Sequence, residues 1–533
     1  MVNNIKQLHK QAQQAINQGQ YKQAHQLIIS ILSQDKYFAD GYFLLGMIAS
    51  VHHNTVKAIE LIKQAIVLAP KQVEYIAQLA KHYALAHDHV QALHHADIAA
   101  KLTLKLAPKS ALTLDTIGVA YSQIGLHQKS VPFFKQAVAA NKHNGQFLFN
   151  LATSLKFTGD FIGARDAYEK AITLMPNYCK AHAALTSLGN ITPDSNHIES
   201  LTTLYKGLTQ TDDLLYIGHA LAREYEALDN YNKAYQYLSQ SKKAKLAQLN
   251  YQFSDDENIF SALTELFYTP EINNINSDVL STGYDSDEPL FVVGMPRTGT
   301  TLVERILSKH SAVTSAGELQ NFGLLLKELS KTTSNKVIDK ETVMAAASLN
   351  YRKLGKAYID STRAITGSSA KFVDKMPLNV LYAGFIIKAL PKAKIICLDR
   401  NPLDTIVSNY RQLFAVNFSY YNYAYDLETT AQFYHQFTQL TKLWLMLFPD
   451  NFYVVNYEKL VNNPDEEAKK IIEFCGLDWQ AQCIDIHKNP APVATASAVQ
   501  VRQPINNKSV GNWQKYQGQL TEVIRYLTEQ GLL

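Results

Sequence analysis

The sequence predicts a two-part fold, an all-α solenoid of helix pairs followed by an α/β domain built on a mainly parallel sheet, and three observations predict it. Small residues recur every 34 positions through the first third of the chain. From Glu288 onward the pattern changes to short apolar strand runs alternating with helical segments. The first of those runs feeds a glycine-bounded loop and then a helix start, in Leu290-Phe-Val-Val-Gly-Met-Pro-Arg-Thr-Gly-Thr-Thr-Leu302. We divide the chain accordingly into residues 1–178 (repeat array), 179–287 (helical extension with one degenerate repeat) and 288–533 (α/β domain). At 533 residues, 47% apolar and 18% charged, it is long enough for two or more cores.

In the array, Ala24, Ala58 and Ala92 stand 34 residues apart, and Ala65 to Ala99 and Gly46 to Ala80 repeat the interval. Four extra residues around Leu106–Lys109 shift the phase. The interval then returns in Gly118 to Ala152, Gly125 to Gly159 and Ala137 to Ala171, with Pro108 and Pro176 two periods apart. Small residues at these points let paired helices approach, with Phe134 and Tyr168 filling the gaps. The period and residue types resemble the tetratricopeptide repeat, a 34-residue helix-turn-helix unit. Five repeats fit residues 5–178, and a sixth, less regular one fits Asp213–Leu246 with Ala220, Tyr225 and Ala234. The stretch Ser187–Ser195 breaks the array. Such stacks present a concave surface to a peptide or protein, so the array is expected to hold a partner or substrate. The alternative is that it only supports the second half. The paired histidines His52, His53, His94 and His95 point in different directions along a helix and are expected on a solvated face, not around a metal.

Four strands are expected in the second half, at Leu290–Val293, Lys371–Val373, Lys394–Leu398 and Phe452–Asn456. Ligands on such sheets bind at the strand carboxyl ends, which here are Gly294–Thr301, Asp374–Pro377 and Asp399–Pro402. Gly294 and Gly299 have P-loop spacing, yet Thr300 stands where that motif requires lysine. The fixed cation in the loop is Arg297. Loop amides and a helix N-terminus favour an anion, and the guanidinium adds a planar fork of donors. The loop suits a phosphate ester without a bound metal.

The formal net charge of +4 is too small to argue for nucleic acid or membrane binding, so any anion site is local. The four cysteines, Cys179, Cys397, Cys475 and Cys483, lack CxxC spacing and are expected as buried thiols. The start has no apolar stretch of signal-peptide length and no later window reaches a membrane-spanning run; the expected location is cytoplasmic.

Gly294-Met-Pro-Arg-Thr-Gly-Thr-Thr301 together with Ile395-Ile-Cys-Leu-Asp-Arg-Asn-Pro-Leu-Asp-Thr-Ile-Val-Ser408 resembles the sulfotransferases that use 3′-phosphoadenosine 5′-phosphosulfate (PAPS). The first segment is similar to their 5′-phosphosulfate loop and the second to their 3′-phosphate site. The resemblance spans about Pro289 to Tyr516. The Pro-Arg-Thr-Gly-Thr-Thr form is closer to tyrosylprotein sulfotransferases than to the small-molecule enzymes. It implies PAPS as co-substrate, no metal, and transfer of a sulfuryl group to a hydroxyl acceptor, with a peptidyl tyrosine as one candidate. Arg297, Thr298, Gly299, Thr300 and Thr301 are the implied 5′ contacts, and Arg400 and Ser408 the implied 3′ contacts. Asp404 reads as N-terminal charge complementing a helix dipole.

Two residues compete as base for the acceptor hydroxyl. A helix from Gly299 to about Lys309 rises roughly 15 Å and carries His310 away from the loop. Glu318 follows a turn and the short return Ala312–Ser315, and its 21-residue distance from Arg297 matches the catalytic glutamate of the tyrosylprotein enzymes. Otherwise Glu318 is a helix cap after Gly317. By resemblance, Lys375 supports the leaving phosphate with Arg297, Ser497 reaches the sulfuryl site, Asn379 positions a helix or substrate, and Arg502 and Lys508 close over the nucleotide. This chain lacks the family's Arg-Lys-Gly triplet before Trp513. The aromatic run Phe418–Tyr425 fits either an acceptor pocket or core packing. Two other readings remain open: a P-loop kinase, against which the missing lysine counts, and a repeat scaffold with a non-catalytic nucleotide-binding domain.

Overall fold

The computed structural model describes residues 2–105, 110–268, 283–416, 418–489, 491–493, 495 and 497–533. The inserted residues 106–109 of the sequence analysis lie outside them. The chain forms two compact units, Met1–Thr158 and Gly159–Leu533.

The first unit is a run of antiparallel helix pairs: Val2–Asn17 with Tyr21–Gln34, Ala39–Val51 with Thr55–Leu68, Val73–Leu85 with His89–Lys105, and Ala111–Gln123 with His127–Ala140, ending on Gly145–Thr158. The period has a steric cause. Ala24, Ala58, Ala65, Ala80, Ala92 and Ala99 are fully buried. A β-carbon on Gly118 would lie 2.6 Å from the Phe134 ring, and one on Gly46 2.9 Å from Ile62. Side chains fill these contacts from one helix only. His52 and His53 are exposed as expected. His95 differs: it packs edge-on against Tyr83 and burial depresses its pKa to about 4.

The second unit opens with Phe161–Leu174 and Cys179–Thr186, breaks at the irregular 187–197 stretch, and resumes with Ile198–Gly207 and the pair Thr211–Ala227 and Tyr231–Gln248. That pair is the less regular repeat of the sequence analysis. Its Ala222, Ala234 and Leu238 enter the same apolar core as the sheet residues Phe291 and Ile395. The helical extension therefore shares a core with the α/β domain, within the compact unit Gly159–Leu533.

Five parallel strands follow: β1 (Pro289–Gly294), β2 (Val313–Gly317), β3 (Lys371–Asp374), β4 (Lys394–Asp399) and β5 (Phe452–Asn456), in the order β2-β3-β1-β4-β5. All six residues of central β1 are buried. Alternation along it sends Phe291 and Val293 into one apolar layer and Leu290 and Val292 into the other. Helices cover both faces, as an all-parallel sheet requires. Trp444, fully buried on the helix Leu427–Leu447, satisfies its indole N–H on Val380 O at 2.9 Å. The four cysteines are buried free thiols. Among the described residues no helix is long and apolar enough to cross a membrane.

Candidate active site

The strand order brings four loops together. Glu318 follows β2, Lys375 follows β3, Arg297 follows β1 and Arg400 follows β4, and these strands are contiguous in the sheet. Their carboxyl ends span three strand spacings, about 14 Å.

The loop after β1 is shaped by its backbone. Gly294 and Gly299 have φ of 146° and 106°, and Arg297 itself sits in the left-handed region at 68°. At Gly299 a β-carbon would lie 2.5 Å from the ring of Tyr457. The helix Thr300–Ser308 then starts on Gly299 with no side-chain cap. Its first backbone bonds are from Leu302 and Val303 to Gly299 O, at 2.9 and 3.2 Å, so the preceding amides stay outside the helical ladder. Thr298, Thr300 and Thr301 are buried at this start, with Thr298 Oγ1 donating to Met295 O. His310 lies past the far end, its Nε2 bonded to Asp478 O at 2.9 Å.

Arg297 donates through Nη1 to Ser497 Oγ and through Nη2 to Gln500 Oε1 at 3.0 Å. Burial, followed by the nearby Arg400, Arg411 and Arg223 guanidinia, lowers its pKa to about 10, so it stays charged at neutral pH. Arg400 is buried, not a surface charge. It donates to Arg297 O at 2.8 Å and Ser509 O at 2.5 Å, and stacks over Tyr457 at 4.7 Å. Its Nε is buried without a protein acceptor.

The helix Pro402–Tyr410 ties these loops together. Asn401 caps it, and Asn409 Nδ2 donates to Pro296 O at 2.7 Å. Asp404 is a clasp beyond its expected helix-dipole role: it accepts from the amides of Gly511 (2.7 Å) and Trp513 (3.0 Å), with Arg400 3.8 Å away. At the exit of the helix, Arg411 forms a bidentate pair with Glu226 of the helix Thr211–Ala227, and Tyr516 donates to the same carboxylate. Ser408 is half-buried on the second turn. Lys508 is exposed, and its neighbour Ser509 meets Arg400 through a carbonyl. Arg502 is placed elsewhere, its guanidinium packed on Gly159.

On the other side, Lys375 is 1% exposed and its Nζ donates to Glu318 Oε1. Backbone bonds fix the pair: Lys375 N to Gly317 O at 2.8 Å and Leu319 N to Asp374 Oδ1 at 3.4 Å. Asp374 also accepts from Tyr358 and Asn379, and burial raises its pKa to about 7. Asn379 therefore acts within this framework. A second carboxylate, Glu304, lies 4.0 Å from the same Nζ and accepts from Ser315. Motif reading missed Glu304, Gln500 and Tyr457, and named Asp374 only as the start of a strand end. An acidic residue in the P-loop helix was the one available signal for Glu304. Of the aromatic run, Tyr423 stacks on Phe433 in the core, whereas Tyr421 stacks on Phe414 and faces Glu318.

The site thus combines a parallel α/β sheet, two arginine-bearing loops and a glycine-bounded loop without the P-loop lysine. Residues 289–481 match the sulfotransferase family and residues 145–178 match the tetratricopeptide repeat; the chain carries a segment of each. It is 33% identical over 316 residues to an uncharacterized protein of Aquifex aeolicus (strain VF5), covering 58% of this chain and 41% of that protein. It is 24% identical over 247 residues to the protein-tyrosine sulfotransferase of Drosophila melanogaster, covering 43% of this chain and 48% of that protein. The chain thus spans less than half the length of these two relatives. The sulfotransferase domain of the Synechococcus PCC 7002 olefin synthase aligns with a TM-score of 0.31 at 18% identity, over 43% of this chain and 89% of that one.

Proposed function

We propose that this chain transfers a sulfuryl group from PAPS to a hydroxyl acceptor, with Glu318 as general base. The observation that carries the reading is the buried Lys375 paired with the half-exposed Glu318 at strand ends next to the Arg297 loop. The residues fit the co-substrate: the loop helix has no side-chain cap, and Arg400 Nε is buried without an acceptor. PAPS, when bound, supplies the sulfuryl group and a nucleotide leaving group, so that the acceptor oxygen–sulfur bond forms as the bridging bond breaks. Thr298, Gly299, Thr300 and Thr301 hold the 5′ end through amides and hydroxyls. Arg400 and Ser408 hold the 3′-phosphate, with the 508–513 segment clasped over them by Asp404. Arg297, oriented by Ser497, and Lys375 neutralise charge on the bridging oxygen. Glu318 Oε takes the acceptor proton.

The named function of the Drosophila relative and the repeat segment together favour a protein or peptide acceptor, with tyrosine the first residue to try. Tyr421, beside Glu318, offers such a phenol a stacking face. Radiolabelled transfer from PAPS to tyrosine peptides tests the assignment. Glu318→Gln should lower turnover by about 10²–10⁴-fold and leave affinity for 3′-phosphoadenosine 5′-phosphate within twofold. Full turnover in that variant removes Glu318 from the mechanism.

A further inference from the structure

Lys375 has two carboxylates within reach, and they differ in exposure. Glu318 is 40% exposed and faces the loops, whereas Glu304, on the helix Thr300–Ser308, is 11% exposed and held by Ser315 at 2.6 Å. A salt-bridged carboxylate is a weak base, because taking a proton leaves its ammonium partner unpaired. For Lys375, 1% exposed, an unpaired charge carries a desolvation penalty that water does not relieve.

We propose that Glu304 is a positioning residue for Lys375, the standing counter-ion that keeps the buried ammonium paired when Glu318 accepts the acceptor proton. This rests on Glu318 as base. Before the step, one ammonium faces two carboxylates. The acceptor O–H bond breaks, Glu318 becomes neutral, and Lys375, which also meets the charge developing on the bridging oxygen, retains Glu304 at 4.0 Å. Ser315 keeps Glu304 in the interior. The other titratable groups facing the cluster are Asp374, Tyr358 beside it, Tyr421 near Glu318, and Arg305 near Glu304.

The sign of the test follows. Glu304→Gln removes a negative neighbour and leaves the whole lysine charge to Glu318, so Glu318 holds its proton less tightly. In full-length protein labelled with ¹³C at glutamate Cδ, the Glu318 signal is identified by its loss in Glu318→Gln. Its titration midpoint should fall by about one pH unit in Glu304→Gln, and by less in Glu304→Asp, which keeps the charge. The acid limb of kcat should move the same way, with kcat at the plateau reduced about 3–10-fold and the nucleotide KM unchanged. An unmoved midpoint in folded Glu304→Gln overturns the role of Glu304, and Glu304→Ala, which also removes the charge, is read the same way if the glutamine variant does not fold. A shifted midpoint in a protein that transfers no sulfuryl group would instead remove the catalytic reading and leave the charge coupling standing.

Discussion

Arg400 commits two guanidinium nitrogens to backbone carbonyls and keeps Nε buried with no protein acceptor. A buried charged donor left in that state is costly unless a ligand completes it. Arg400→Ala should therefore weaken binding of 3′-phosphoadenosine 5′-phosphate about 10–100-fold by calorimetry, and unchanged affinity would contradict the 3′-phosphate assignment. Arg297, Lys375 and Arg400 were legible in the sequence because each follows an apolar strand in a recognisable motif. Glu304 and Gln500 were not, because strand order brings Lys375 to Glu304 and Gln500 meets Arg297 from 203 residues away in sequence. For Arg502 the resemblance implies a place over the nucleotide, and the structure packs its guanidinium on Gly159.

Among elements, the helix Pro402–Tyr410 has the widest influence. It caps itself with Asn401, holds the β1 loop through Asn409 and holds the C-terminal segment through Asp404. Asp404→Ala should release the Gly511 and Trp513 amides, seen as faster hydrogen exchange, and weaken nucleotide binding several-fold while the sheet stays protected. Unchanged exchange at those amides would show that the clasp is not what holds the segment. Strands β1, β3, β4 and β5 were legible as short apolar runs, the first three ending in glycine or aspartate. β2, expected as a return at Ala312–Ser315, runs Val313–Gly317 at the sheet edge, and its two buried residues, Val313 and Ala316, fall on opposite faces, so no alternation marks it. Asn401-Pro402 marked the helix start, but nothing local marked its three-way contact.

At the level of the whole molecule, a 34-residue period and a strand–helix alternation were enough to separate an all-α array from an α/β domain. The helical extension was harder to place. Its repeat-like spacing groups it with the array, while its side chains join the core of the sheet and its Glu226 pairs with Arg411 at the edge of the site. Periodicity reports how neighbouring helices pack, not which core the outer face of the last pair joins. The central claim, a nucleotide-sulfate site in place of a nucleoside triphosphatase site, rests on Arg297 and the lysine-free loop. Isothermal titration of the full chain with 3′-phosphoadenosine 5′-phosphate in the absence of metal, beside ATP with Mg²⁺, tests it most directly. The account predicts micromolar binding of the bisphosphate alone; preference for ATP with Mg²⁺, or no binding by a folded chain, would contradict it.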